Sequence, residues 1–362
     1  MQRCKVNNID REQGQTLIEF KGKKIPKIDM HTHIMPEHMP DFKAKFGYGN
    51  FIMLDHHKPG AAWMMQGGNR FRQIYSNCWD PNAIVEDRAK FGIDLSVICT
   101  IPVLFSYWAE PKDGLEVSRF LNDDIAKTVA DHHKDFVALG TVPMQDTTLA
   151  IQELERCVNE LSLPGLQIGS HIGSKNLSDP ELFPFFEAAA DLGASIFVHP
   201  WDMMGMDRMR RYWLPWLVGM PAEVSLAICS LIFGGVMERL PNLKLCFAHA
   251  GGSFPATIGR IEHGFNVRPD LVAIDNDINP KEYINKFWLD SITHDADALR
   301  FVRSIFDDDK LCLGSDYPFP LGELHPGKMI ETEMPELEIE TVEQIFYKST
   351  CDWLGIDMDD YL

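Results

Sequence analysis

The sequence is expected to fold as an α/β protein, a (β/α)8 TIM barrel with an insertion after its first strand. Three observations carry this expectation: eight short apolar runs that each end in polar or turn residues, helical patterns between them, and a length of 362 residues, which suits eight strand–helix units. Apolar runs rich in β-branched residues suit strands buried on both faces, as in a parallel sheet.

The first strand is expected within Lys27–Ile34. Some sixty residues separate it from the second, far more than an ordinary strand–helix connection needs. The segment at about 35–80 carries many aromatic, Gly and His residues, among them Phe46, Tyr48, His56, His57, Trp63, Gly67 and Gly68, and is expected to cover one end of the barrel. A helix over Pro81–Phe91 then leads to the second strand, Leu95–Pro102. Next come a helix over Leu115–His132, the third strand in Phe136–Pro143, a helix over Thr147–Leu161 and the fourth strand in Leu163–His171. A helix over Asp179–Leu192 precedes the fifth strand, Ser195–Pro200. The helix expected over Pro221–Leu240 leads to the sixth, Lys244–His249, and one over Ser253–Gly264 to the seventh, Phe287–Thr293. A helix over Asp295–Ile305, the eighth strand in Leu311–Pro318 and a last helix near Thr341–Leu354 complete the set. Residues 1–24 are polar and are expected to be a loosely attached leader, with one barrel domain over 25–362. The runner-up, a doubly wound open sheet, normally carries a glycine-rich dinucleotide turn after its first strand; His31-Thr32-His33-Ile34-Met35-Pro36 stands there instead.

Composition narrows the function classes. A net charge of −19 repels phosphate backbones and anionic lipid, so neither nucleic acid nor membrane is an expected partner. Residues 1–15 lack the apolar core of a secretory signal, and a cytoplasmic protein is expected. The eight cysteines include no CxxC pair and are expected to be buried reduced thiols. The longest apolar stretch, Val224–Met237, reads as a buried helix too short to span a bilayer.

The chemistry is expected at the strand ends. Alternation along a strand puts His31 and His33 on one face, and two neutral imidazoles side by side suit a divalent ion of the zinc class. Three later strands also end in a ligand type: His199, His249 and Asp316. In a barrel these ends converge on one mouth, where active sites of this fold lie. A catalytic metal site keeps a position open for water and lowers that water's pKa to about 7. Not all five residues need bind the ion, since one histidine could serve as the base; spacing does not say which. His171 and His294 follow strands as well and are expected at the rim.

Asp29-Met30-His31-Thr32-His33, Val198-His199-Pro200-Trp201-Asp202, Phe247-Ala248-His249-Ala250-Gly251-Gly252 and Gly314-Ser315-Asp316-Tyr317-Pro318 together resemble the amidohydrolase superfamily, in its metal-dependent decarboxylase branch. The resemblance runs over roughly residues 26 to 355. It implies one Zn2+ per subunit held by His31, His33, His199 and Asp316, with His249 as the base. It implies that Arg72 holds a substrate carboxylate, that Trp216 is an aromatic at the pocket wall, and that Arg260 reaches the site of a neighbouring subunit, which makes a homodimer the active form. The implied reaction is a non-oxidative loss of CO2 from a small dicarboxylate. Two alternatives stand beside it: a metal-dependent hydrolase of a lactone or amide, and a catalytically silent barrel acting as a binding protein.

Overall fold

A computed structural model of the chain describes residues 19–362. Of the leader expected at 1–24, residues 1–18 lie outside the described residues. Residues 19–24 are held more firmly than expected. Glu19–Phe20 pairs antiparallel with Lys23–Lys24, Phe20 is buried in the main core, and Lys23 pairs with Glu343.

Eight parallel strands follow one another around a barrel in chain order. They are β1 (Ile28–Ile34), β2 (Leu95–Thr100), β3 (Phe136–Gly140), β4 (Gly165–Gly169), β5 (Ser195–His199), β6 (Lys244–Phe247), β7 (Trp288–Asp290) and β8 (Leu311–Cys312). The helices between and after them are α1 (Pro81–Lys90), α2 (Pro111–Asp131), α3 (Thr147–Asn159), α4 (Phe183–Asp191), α5 (Met220–Phe233), α6 (Phe254–Val267), α7 (Ala296–Arg303) and α8 (339–354). The ring closes between β1 and the segment after β8: the Met30 N–H donates to the Leu313 carbonyl at 2.9 Å and the His33 N–H to the Tyr317 carbonyl at 2.7 Å. An open doubly wound sheet is thereby excluded. β7 and β8 are shorter than their apolar runs; within the second run Asp316, at φ 59°, takes a left-handed conformation that an extended ladder does not admit.

Alternation sorts the strand residues into two cores. Ile28, Met30, Leu95, Val97, Val137, Leu139 and Phe197 fill the barrel, which Trp353 and Leu354 of α8 close from below. Ile98, Phe136, Ile168, Ile196, Val198 and Phe247 face outward against the helices. β1 departs from simple alternation. Its register against β2 slips between Asp29 and Thr32, so that Met30 and His31 both face inward; a bulge re-aims a strand in this way.

Two helices differ from expectation. α4 starts four residues late, with Pro184 in its first turn, where the absence of an N–H costs nothing. The expected Pro221–Leu240 helix breaks at Gly234-Gly235, Gly235 being left-handed at φ 67°. At its other end α5 is extended by a wide turn, Pro215–Gly219, giving a helical stretch Pro215–Phe233 long and apolar enough to cross a membrane by composition. That is longer than the stretch beginning at Val224 suggested. Val224, Ala227, Ile228 and Leu231 are buried in the main core.

The insertion holds a three-stranded antiparallel sheet, Ile52–Lys58, Ala61–Gln66 and Asn69–Tyr75, that the sequence reading did not resolve. Its turns carry ordinary hairpin signals, Pro59-Gly60 and Gly67-Gly68, with every glycine at positive φ. Met64, Ile74, Phe42 and Phe51 of the insertion pack with Ile101 and Leu104 above β2. Among the described residues the cysteines are free thiols, five of seven buried.

Candidate active site

Three imidazoles are locked in one tautomer by the fold. His31 Nδ1 donates to Asp290 Oδ2 at 2.8 Å, His33 Nδ1 to the Thr100 carbonyl at 3.0 Å and His199 Nδ1 to the Pro200 carbonyl at 2.8 Å. Each ring therefore turns its Nε2 inward. His31 Nε2 and His33 Nε2 stand 3.1 Å apart and His199 Nε2 is buried without a hydrogen-bond partner. Asp316 Oδ1 lies 3.0 Å from His33 Nε2, 3.4 Å from His31 Nε2 and 3.9 Å from His199 Nε2. Lone pairs crowded against a carboxylate, with nothing to donate to them, fit a cation: this is a metal-binding site of histidine and aspartate.

His249 joins the group. Ligand atoms of His31, His199, His249 and Asp316 lie within 4.8 Å of one another, and His249 Nε2 is 3.7 Å from Asp316 Oδ2. Among the described residues its ring has no Nδ1 lock of the kind that fixes the other three. Burial pushes His31 down, and His199 down to about 3, so both are neutral; at His33 burial also opposes the charge, but Cys99 and Asp316 outweigh it and raise its pKa to about 10, so that a bound cation would take the place of its proton. Burial alone would raise Asp316, but the surrounding imidazoles hold it well below the usual carboxylate range. Neutral imidazoles and an ionised carboxylate are the states a metal requires. For His249 burial opposes the charge, yet Asp316 and Asp290 outweigh it and raise its proton affinity.

A cavity of about 120 Å3 opens over His33, His199 and Asp316, and Arg72, Trp216 and Phe319 line its other walls. Arg72 comes from the third strand of the insertion. Its guanidinium is half-buried, 5.1 Å from the Phe319 ring and 5.9 Å from that of Trp216, and makes no ion pair among the described residues. Desolvation lowers its pKa from the ordinary value, and it stays a cation. Trp216 sits in the wide turn before α5 and also lines a second lobe, of about 370 Å3, with His249 and His294. His294 thus reaches the mouth. His171 does not line the first cavity; its Nδ1 bonds the Gly173 carbonyl and its Nε2 the Trp201 carbonyl. Arg260 is exposed on α6 and lines neither lobe of its own chain.

The family model described as amidohydrolase matches residues 28–351. The chain belongs to the amidohydrolase family. This amidohydrolase is 56% identical over 336 residues to 2-amino-3-carboxymuconate-6-semialdehyde decarboxylase of Dictyostelium discoideum, covering 93% of each chain. It is 36% identical to the enzyme of that name from Caenorhabditis elegans, covering 94% of this chain and 97% of the relative. Among solved structures, 5-carboxyvanillate decarboxylase of Novosphingobium aromaticivorans, complexed with manganese, matches with a TM-score of 0.79 at 17% identity over 95% of this chain and 100% of the other. The apo IDCase of Metarhizium anisopliae matches at 0.78 and 19% identity, over 91% and 97%. At those identities the structures speak for the barrel fold. With its curated relatives, this amidohydrolase is a decarboxylase.

The sequence reading passed over three contributors to the site. Asp290 closes β7 as an acidic residue at the end of Phe287-Trp288-Leu289, the same pattern that singled out His199 and His249. Phe319 follows Asp316 by three positions and packs over His33, ring centroids 5.7 Å apart. Asp29, buried, accepts from the Ser315 hydroxyl and, at 3.2 Å, from the His31 N–H, tying the segment that bears Asp316 to β1. Burial lifts its carboxyl to about 6.

Proposed function

We propose that this amidohydrolase removes CO2 from 2-amino-3-carboxymuconate 6-semialdehyde, giving 2-aminomuconate 6-semialdehyde, with Zn2+ as its metal. The observation that carries this reading is the guanidinium of Arg72, without an ion pair among the described residues, on the wall of the same cavity that His33, His199 and Asp316 line. A planar cation so placed beside a metal site suits a substrate carboxylate. The names of the Dictyostelium and C. elegans relatives support the choice of substrate. The compound belongs to the kynurenine route of tryptophan catabolism and to nitroaromatic degradation.

His31, His33, His199 and Asp316 would hold the ion, which when bound supplies Lewis acidity and makes a water-derived nucleophile available near neutral pH. Arg72 anchors one carboxylate and so fixes which carbon lies under His249. His249 accepts the proton of the water that adds to the amine-bearing carbon, and the neighbouring carbon takes up a proton. The carbon–carbon bond to the departing carboxylate then breaks. Its electron pair forms the double bond and expels the added hydroxide, so that one solvent proton is consumed and no redox cofactor takes part. Trp216 and Phe319 exclude bulk water from the anchored end. The cations of the site counter an acidic surface that would otherwise repel a dianion.

In this reading Arg260 serves the neighbouring subunit of a homodimer. Leu217, Val218, Leu226, Val267 and Leu271 are exposed on and around α5 and α6, and such an apolar surface suits a subunit contact.

The test supplies freshly generated substrate to metal-loaded protein and follows its absorbance together with CO2. Expected is loss of absorbance in step with CO2, abolished by chelation and restored by Zn2+. Full turnover after metal removal, or in His249→Ala, would sink the reading, and release of a carboxylic acid in place of CO2 would favour the hydrolase.

A further inference from the structure

Beyond the ligands and the base, one carboxylate ties the two together. Asp290 is fully buried and four N–H groups converge on it. Oδ2 accepts from His31 Nδ1 at 2.8 Å and from the His249 main-chain N–H at 2.9 Å. Oδ1 accepts from the main-chain N–H of Ala250 at 2.8 Å and of Ile292 at 3.1 Å. The two groups it grips after β6 belong to an unusual stretch of backbone: His249, Ala250, Gly251 and Gly252 all have positive φ, at 55°, 51°, 75° and 61°. Glycine takes that conformation freely, whereas His249 and Ala250 hold it against the steric clash of their Cβ atoms. Successive N–H groups so arranged form a concave nest for an anion, and the anion here is Asp290. Space for it is kept by Gly314, where a Cβ would stand 3.1 Å from Cβ of both Asp290 and His31.

We infer that Asp290 is a positioning residue with two separable outputs: it fixes His31 in the tautomer that presents Nε2 to the metal, and it holds the left-handed turn that aims His249 at the substrate. The inference rests on the proposed role of His249 as the base.

Three proteins test it: Asp290→Asn, Asp290→Asn with Ala250→Gly, and His249→Ala. Zn2+ affinity is measured by competition with a chromophoric chelator, and kcat and KM on Zn2+-saturated protein. A carboxamide cannot accept at both positions, so Asp290→Asn is expected to lose about 10- to 100-fold in Zn2+ affinity. At saturating Zn2+ its kcat is expected to fall on the order of 10²-fold with KM little changed, as a misaimed base costs turnover and not binding. Glycine at 250 removes part of the backbone cost of the turn. The double variant should therefore recover kcat several-fold while its Zn2+ affinity stays low, a split that general loss of structure does not produce. Wild-type affinity and kcat in Asp290→Asn overturn the inference, and so does a double variant in which both quantities recover together or neither does. Failure of the underlying reading looks different: His249→Ala would then turn over normally.

Discussion

Arg72→Lys keeps the charge and removes the fork, which makes it the sharpest probe of the cavity. The guanidinium is half-buried against Trp216 and Phe319 and makes no ion pair among the described residues, so its hydrogen-bonding capacity on that side is available to substrate. A carboxylate bound in bidentate fashion receives two charge-assisted hydrogen bonds, each worth about 1.5–3 kcal/mol. Lysine supplies one, from a compact ammonium that stacks poorly on the flanking rings. The loss is then one bond, which at 1.4 kcal/mol per factor of ten is roughly 10- to 150-fold in kcat/KM. It should fall mainly on KM, because the anchored carboxylate is held alike before and during reaction. The assay is the initial rate of substrate loss over a range of concentrations, with zinc content checked so that a metal defect is not counted. Equal kcat/KM for the two proteins would remove Arg72 from the substrate site.

The homodimer proposal predicts complementation. Arg260→Ala and His249→Ala should each be inactive alone, and after subunit exchange an equal mixture should regain about a quarter of wild-type activity, since half of the dimers then hold one intact site; no recovery after demonstrated exchange would refute a shared site. Below the barrel, Lys27 and Glu331 form a buried ion pair at 2.5 Å with both side chains 2% exposed. Glu331→Gln should cost about 3–5 kcal/mol in urea unfolding by stranding the lysine, while Lys27→Met with Glu331→Leu should recover most of that loss. Glu323 is pushed up to about 8 by burial and by the charges of Asp290 and Asp29. Its folded pKa lies above its unfolded value, so its contribution to stability is fully present below about 4.5 and is lost as pH rises through 8. Glu323→Gln should flatten the fall in urea midpoint between pH 5 and 9; identical slopes would exclude Glu323 as its source.

Much of the barrel was legible because strand burial on both faces leaves apolar runs, and because the chain must put a turn or a polar residue where each run meets solvent. His31, His199, His249 and Asp316 were legible for the same reason, as polar residues standing where apolar runs stop. The insertion sheet was missed although Gly67-Gly68 marks its second turn, since its strands are only partly buried and carry weak alternation. Asp290 was missed because it stands inside the expected run Phe287–Thr293 and not at its end; only the early stop of β7 and the burial of the side chain reveal it.

By itself the sequence determined the number of strand–helix units and the residue types at the barrel mouth, since both follow from local periodicity. The tertiary structure alone decided which ring nitrogen each histidine turns inward, because that depends on acceptors far away in the chain: Asp290 for His31 and the Thr100 carbonyl for His33. It decided that the insertion's Arg72 shares a cavity with the metal site, through the packing of that sheet above β2. It also showed that β1 slips by a bulge to put Met30 and His31 on one side, a departure from alternation that no local pattern announces and that ring closure against residues 313–317 accommodates.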